Sequence, residues 1–232
     1  MPKQATYCSL LTINMLEIKA IGIGGIGCAL LPFLCRYLQF SGERARLTLI
    51  DGDRFERPNA SRQAFSRLGN KAEVKAQELS REFEALSLRA VPEFLTRENA
   101  PRLIAAGDWV LLMVDNHASR NLVSAHAASL PDLTLISGGN DYKDGNVQLY
   151  LRRGSRDLTP SLSRYHPEIA QPRDRNPAEL SCEELMAAGA PQLLFTNLMV
   201  ASLMLNAFYA LRQGEVAYSE VYLDIVSQEA RK

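Results

Sequence analysis

The sequence predicts an α/β protein with a Rossmann-like, doubly wound, mainly parallel sheet and an antiparallel C-terminal extension. Three observations predict it. An apolar, β-branched run at Ile18–Ile21 climbs into a glycine turn at Gly22, Gly24, Gly25 and Gly27. From there to about Asn140, strand-like apolar runs alternate with helix-periodic segments, as in a parallel sheet wound on both faces. Beyond Asn140 that alternation stops.

The first strand is expected at Leu16–Gly22 and the first helix from Cys28 to about Phe40. Residues before Met15 carry no firm signal. Arg46–Ile50 reads as a second strand ending on Asp51-Gly52-Asp53, and a polar loop with Pro58, Asn59 and Gly69 follows. Helical spacing resumes at Lys71 and runs through Ala76, Leu79, Phe83 and Leu86. Leu88–Pro92 is a third strand, and Arg97–Ala106 a short helix. The continuous apolar run Trp109–Val114 fits a parallel strand covered on both faces, and ends in Asp115-Asn116. A helix at Ser119–Ser129 and a strand at Leu133–Ile136 lead to Ser137-Gly138-Gly139-Asn140. The turn Lys143-Asp144-Gly145 then opens a strand at Asn146–Arg152. A proline- and charge-rich loop spans Gly154–Leu180, and loops of that length in a compact domain tend to be functional or disordered. A long apolar helix over Pro191–Arg212 and an alternating strand or hairpin at Glu215–Val226 close the chain. One domain over 1–232 is expected, with a nucleotide-binding core at 16–139. Residues 140–232 would supply a substrate or crossover loop, the long helix and the terminal strands.

Composition narrows the function classes. The 232 residues suffice for one sizeable core, and 47% hydrophobic with 22% charged residues is ordinary for a globular protein. A formal net charge of zero offers no electrostatic footprint for nucleic acid or an anionic membrane. The four cysteines, Cys8, Cys28, Cys35 and Cys182, form no C-x-x-C pair, so neither a disulfide framework nor a zinc site is expected. That usage fits a reducing cytoplasm, and the N-terminus lacks the apolar core of a signal peptide. Leu185–Leu211 holds no charged residue and is long enough to span a bilayer. Gly189, Pro191, Gln192, Thr196, Asn197, Ser202 and Asn206 interrupt it, so a helix in the core or at a subunit interface is expected instead.

The chemistry begins at the glycine turn. Gly22, Gly24 and Gly27 fit G-x-G-x-x-G, in which glycines permit a tight turn and close approach of backbone to phosphate. The following helix N-terminus directs free N–H groups at the anion. Asp51, at the carboxyl end of the second strand, is placed to hydrogen-bond ribose hydroxyls, with Asp53 as an alternative. Neither feature separates a dinucleotide from ATP. The discriminating residues follow: Asn59-x-x-Arg62-Gln63, then Lys71-Ala72, then Asp115-Asn116-x-x-x-Arg120. An oxidoreductase has no need for these cations beside its ribose acid. Attack on a triphosphate does, because charge builds on phosphoryl oxygens and leaving pyrophosphate.

These five motifs, in this order, resemble the ThiF/MoeB/ubiquitin-activating (E1-like) adenylation family. The resemblance is close over about Leu16–Gly139 and looser beyond. It implies an adenylyltransferase that uses Mg-ATP to activate the C-terminal glycine carboxylate of a ubiquitin-like or sulfur-carrier protein. By that resemblance Gly22, Gly24, Gly25, Gly27, Asp51, Asp53, Asn59, Gln63 and Asn116 bind the nucleotide. Arg62 and Lys71 grip the triphosphate, and Asp115 binds Mg²⁺, which takes one or two carboxylates and keeps several waters. Lys75 rivals Lys71, and Asp115 has a second reading as a helix cap. Arg120 has one as a tie between a strand end and its helix.

Cys182 stands in Ser181-Cys182-Glu183-Glu184, an S-x-x-E capping box that places it in a first helical turn. Such a position lowers a thiol pKa, whereas the two glutamates oppose that. Relatives that form a thioester use a cysteine after the adenylation core; a small buried residue is the other reading. Cys28 is expected to pack under the glycine turn and His166 to be structural. The family's zinc-binding cysteine pairs are absent, as is a recognisable arginine-bearing segment before Leu16. The Ser181-Cys182 segment, Gln192, Asn197 and Ala217-Tyr218 look like compact ThiF-type proteins of PRTRC gene clusters. The resemblance thus implies a homodimer and an E2-like protein among the partners. A NAD(P)-dependent oxidoreductase and a non-catalytic scaffold subunit are the competing readings.

Overall fold

The computed structural model describes residues 15–164, 166–180, 184, 192–227 and 229–231. The N-terminal half folds as β1 (Leu16–Ile21), α1 (Gly25–Ser41) and β2 (Ala45–Ile50). A short hairpin of β3 (Arg54–Phe55) and β4 (Gly69–Asn70) brackets a 3₁₀ turn at Arg57–Ser61 and leads into α2 (Lys71–Glu82). Then come β5 (Ser87–Val91), α3 (Ala100–Leu103), β6 (Trp109–Leu112), α4 (His117–Ser129) and β7 (Leu133–Asn140). The C-terminal part holds β8 (Asp144–Arg153), β9 (Arg156–Asp157), α5 (Pro167–Ala170), α6 (Leu194–Gln213), β10 (Glu220–Asp224) and β11 (Glu229–Arg231).

The main sheet runs β11-β10-β8-β7-β6-β1-β2-β5. The five strands from β7 to β5 are parallel, and β8, β10 and β11 extend them antiparallel. Side chains alternate between the faces because successive Cβ atoms point opposite ways. Ile18, Leu47, Leu49 and Leu111 pack beneath α1, α2 and α6. Ile21, Ile50, Val110, Leu112 and Leu135 pack with Leu103, Val123, Ala127 and Ile169 of α3, α4 and α5. Three layers result. Left-handed Gly42 and Gly214 end α1 and α6, where a Cβ would be strained.

Several boundaries differ from the expected ones. α1 begins at Gly25 rather than Cys28, because the last glycines of the motif are already helical. The helix expected over Arg97–Ala106 contracts to Ala100–Leu103: Pro101 has no N–H and fits only a first turn. β7 continues through Ser137-Gly138-Gly139-Asn140, since a ladder with β8 satisfies its backbone without needing apolar side chains. The long helix starts at Leu194, not Pro191. It is long and apolar enough to cross a membrane, and it packs its Val200–Ala201–Met204–Ala207–Phe208 face into the core against α1 and the sheet.

Candidate active site

After β1 the chain adds β2 and β5 on one side, then returns to add β6 and β7 on the other. The carboxyl ends of β1 and β6 therefore flank the switch point at which open α/β sheets bind ligands. A cleft of about 1710 Å³ opens there. Gly22 turns the chain out of β1 at φ +86°, and a Cβ on it would lie 2.8 Å from the Met113 carbonyl carbon. The strand ends meet through Met113 N–H donating to Ile21 O at 2.8 Å. Gly24 is different: a Cβ there would meet nothing closer than Gln63 Nε2 at 3.8 Å. Its bareness is toward the cleft. Gly27 stands away from the cleft, where a Cβ would be 2.8 Å from Gly22 O, so this glycine lets α1 pack onto the turn. Cys28 packs under the turn as expected, donating its thiol to Ala64 O, and burial pushes its pKa up.

Asp51 braces the turn from β2. One carboxylate oxygen accepts from Ile23 N–H at 2.6 Å and the other from Asp53 N–H at 2.8 Å. Burial raises its pKa to about 6, against the opposing pull of Lys71. Asn70 holds the arrangement: its Nδ2 donates to the carbonyls of Asp51 and Asp53, and its Oδ1 caps α2 by accepting from Glu73 N–H. Sequence reasoning passed over Asn70 as a positioning residue. The signal was present, since Asn70-x-x-Glu73 at the head of a helix-periodic segment is an N-terminal cap pattern.

Lys71, thus fixed in the first turn of α2, forms an ion pair with Asp53 and lines the cleft. Lys75 is engaged elsewhere, with Glu78 and Ala64 O and over the Phe65 ring at 4.6 Å. The 3₁₀ turn carries Asn59, whose Oδ1 accepts from Glu56 N–H, and leads to Arg62 and Gln63. All three line the cleft, and the buried Arg62 Nε and Gln63 Oε1 have no partner among the described residues.

Across the cleft, Asp115 is exposed at the end of β6 and makes no hydrogen bond among the described residues; Asn116 caps α4 by accepting from Ser119 N–H at 2.8 Å. The cap is therefore Asn116, not Asp115. Arg120 is buried and ties β6 to β7, donating to Ser137 Oγ, Val114 O and Gly138 O. Burial lowers its pKa to about 10. Among the described residues no group of three or more His, Cys, Asp or Glu side chains gathers to cage a metal.

The segment after β9 folds over the cleft. Asp174 accepts from the N–H groups of His117 and Ala118 at the start of α4, both at 2.8 Å, and Asn176 donates to Leu95 O at 2.9 Å. His166 is held between Glu168 at 2.9 Å and Glu220 at 2.7 Å, with Tyr222 beside it. Leu180, Glu184 and Gln192 line the cleft. Ser181 and Cys182 lie outside the described residues.

Fold and cleft together define a Rossmann-like protein whose switch-point cleft is lined by the glycine turn, Arg62, Lys71 and the Asp115 carboxylate. The chain belongs to the ThiF family, whose model matches residues 7–226. It is 30% identical over 160 residues to the molybdopterin-synthase adenylyltransferase of Escherichia coli, covering 66% of this chain and 61% of that protein. It is 31% identical over 138 residues to the sulfur carrier protein adenylyltransferase of Thermus thermophilus, covering 58% of this chain and 49% of that one. The fold matches that of E. coli MccB crystallised with ATP, at a TM-score of 0.71 and 16% identity over 93% of this chain and 62% of MccB. The chain thus spans less than two thirds of the length of each of these relatives.

Proposed function

We propose that this chain adenylates the C-terminal glycine carboxylate of a small ubiquitin-like or sulfur-carrier protein, using Mg-ATP. One observation carries the reading: the glycine turn, the Asp51 carboxylate, Arg62, Lys71 and Asp115 all line a single cleft at the switch point. Its volume exceeds the ~300–1,000 Å³ of an ordinary small-molecule site, which leaves room for a second reactant beside a nucleotide. The names of the two bacterial relatives support the same reaction type.

In the reaction a carboxylate oxygen of the carrier attacks the α-phosphorus. The bond from that phosphorus to the oxygen bridging to the β-phosphate breaks, pyrophosphate leaves with the electron pair, and an acyl adenylate remains. No proton need move, so the protein's work is positional and electrostatic. Asp51 orients the ribose, the turn at Gly24 and the α1 N-terminus receive the phosphates, and Arg62 and Lys71 offset the leaving charge. Asp115, whose carboxylate makes no hydrogen bond among the described residues, would suit Mg²⁺, which takes one or two carboxylates and keeps several waters. When bound there, Mg²⁺ would supply charge neutralisation on those phosphates.

Cys182 extends the proposal: its thiolate attacks the adenylate carbonyl, AMP leaves, and a thioester forms. Support comes from its flanks, because Leu180 and Glu184 line the cleft. A homodimer is proposed from the outer faces of α1 and α6. Phe33, Phe40 and Tyr209 are exposed there, joined by an edge contact between Tyr37 and Tyr209, and such apolar area marks an interaction surface. The test is ATP–pyrophosphate exchange with Gly-Gly-terminated small proteins. Exchange that disappears when the carrier's carboxylate is amidated supports the reading, and absence of ATP binding refutes it. A reducible adduct that survives Cys182→Ser would remove Cys182 from the reaction.

A further inference from the structure

Asn197 lies in the first turn of α6, fully buried, with its side chain against Gly25 at the cleft. Neither its Nδ2 nor its Oδ1 has a hydrogen-bond partner among the described residues. Leaving both ends of a carboxamide unmet in the interior is costly, and native structures seldom do so without a reason. The helix itself is well anchored. Its neighbour Thr196 donates to Tyr142 O at 2.8 Å, and Asn197 N–H reaches Leu193 O at 3.2 Å. Gly25 is bare on account of this side chain. Its backbone is not left-handed, yet a Cβ on it would lie 2.1 Å from Asn197 Nδ2.

The pairing needs of a carboxamide select its ligand. It carries two donors and one acceptor. Beside the α1 N-terminus a nucleotide presents phosphate oxygens, which accept only, so they would leave Oδ1 unmet. A peptide unit offers an N–H and a C=O together. Gln63, facing Gly24 across the same turn, repeats the requirement with its own unmet Oε1.

We propose that Asn197 binds a backbone peptide unit of the incoming carrier tail, accepting from its N–H and donating to its C=O. The terminal carboxylate is thereby set over the α-phosphate. This inference rests on the adenylating reading above and adds the group that holds the second substrate.

The test uses the full chain, with Asn197→Leu, close in size but apolar, and Asn197→Asp, which keeps the acceptor and loses the donor. The probe is the Gly-Gly-terminated small protein that supports exchange by the unaltered chain. Losing the pair of hydrogen bonds should raise the KM for that carrier about tenfold or more, while ATP affinity measured by calorimetry stays within about twofold. The melting temperature of the free Asn197→Leu protein should hold or rise, because two unmet polar atoms leave the interior. A fall would show that the amide serves the fold, overturning the inference. An unchanged carrier KM in both variants, or an equal loss of ATP affinity, would also overturn it. Silence of the unaltered chain with every carrier would instead remove the adenylating reading, and this inference with it.

Discussion

Replacing Gly24 by alanine separates what the glycine turn needs to fold from what it needs to bind phosphate under the proposed function. Gly24 is the N-cap of α1, without positive φ, and its added methyl would meet only the end of Gln63 at 3.8 Å. Alanine is a poorer cap than glycine by roughly 1 kcal/mol, and a stiffer unfolded chain returns ~0.4–1 kcal/mol. The net cost is about 1 kcal/mol or less, a melting shift of ~2–4 °C for a chain of this size. In the complex the same methyl stands where a phosphate oxygen should reach backbone N–H. Losing one charged hydrogen bond costs ~1.5–3 kcal/mol, or about 10- to 150-fold in the Kd for ATP. Gly22→Ala should behave oppositely in the free protein. Its left-handed backbone adds ~1–2 kcal/mol, and intrusion on Met113 adds ~1–3 kcal/mol. Together these lower the melting temperature on the order of 10 °C. Scanning calorimetry and titration with ATP read both quantities. A Gly24→Ala protein that binds ATP as the unaltered chain does would refute placement of the phosphates on this turn.

Further outcomes follow from the side-chain partners. Lys71→Met should lower pyrophosphate exchange by about 100-fold or more, as loss of a charge-stabilising group at a reacting phosphate does. Lys75→Met should instead destabilise by ~1–3 kcal/mol, because Glu78 and Ala64 O lose their partner; the reverse pattern in exchange and melting would exchange their roles. Asp51 should impose a pH dependence, since its folded pKa of about 6 lies above the ordinary 3.8. Its contribution to stability is full below pH 3.8 and lost as pH rises through about 6, amounting to at most about 3 kcal/mol. The melting temperature of Asp51→Asn minus that of the unaltered protein should therefore grow from pH 3.8 to about 6 and level off above; a constant difference across that range would contradict the raised pKa. Asp174→Ala should cost about 1 kcal/mol and speed amide exchange over residues 171–180, and unchanged protection there would show that the cap on α4 does not hold this segment.

The parallel half of the sheet was legible because buried strands are written as apolar runs. Trp109–Leu112 and Ala45–Ile50 fall almost where those runs stand. The hairpin of β3 and β4 was hidden, being two residues a side in polar sequence and held by backbone pairing. The extension of β7 through Ser137–Asn140 escaped for the same reason. Among site residues, the ordered motifs led to Asp51, Arg62, Lys71 and Asp115 because each is a chemically distinctive group at a strand end or helix start. Lys71 was preferred to Lys75 on the match of its helix to the family, whereas the partners that set the two apart, Asp53 and Glu78, could not be assigned from spacing alone. Asn197 stood in the sequence as one polar interruption of an apolar helix and as one residue of the resemblance to compact ThiF-type proteins, with no role attached. What sets it apart, the missing partner and the bare Gly25 against it, exists only once both ends of the chain have met.

That meeting has a consequence for how the protein is made. The glycine motif is complete by Gly27, but α6, which packs over α1 and places Asn197 beside Gly25, begins at Leu194. A ribosome adding ~5–20 residues per second exposes the glycine turn many seconds before the helix that covers it. During that interval Leu30, Leu34 and Tyr37 of α1 lack Met204 and Phe208, with which they share a core in the finished fold. A stalled or truncated product would carry the nucleotide signature without the completed cleft. Under the adenylating reading proposed above, translation itself would then act as a checkpoint, keeping ATP turnover for chains synthesised past their last long helix.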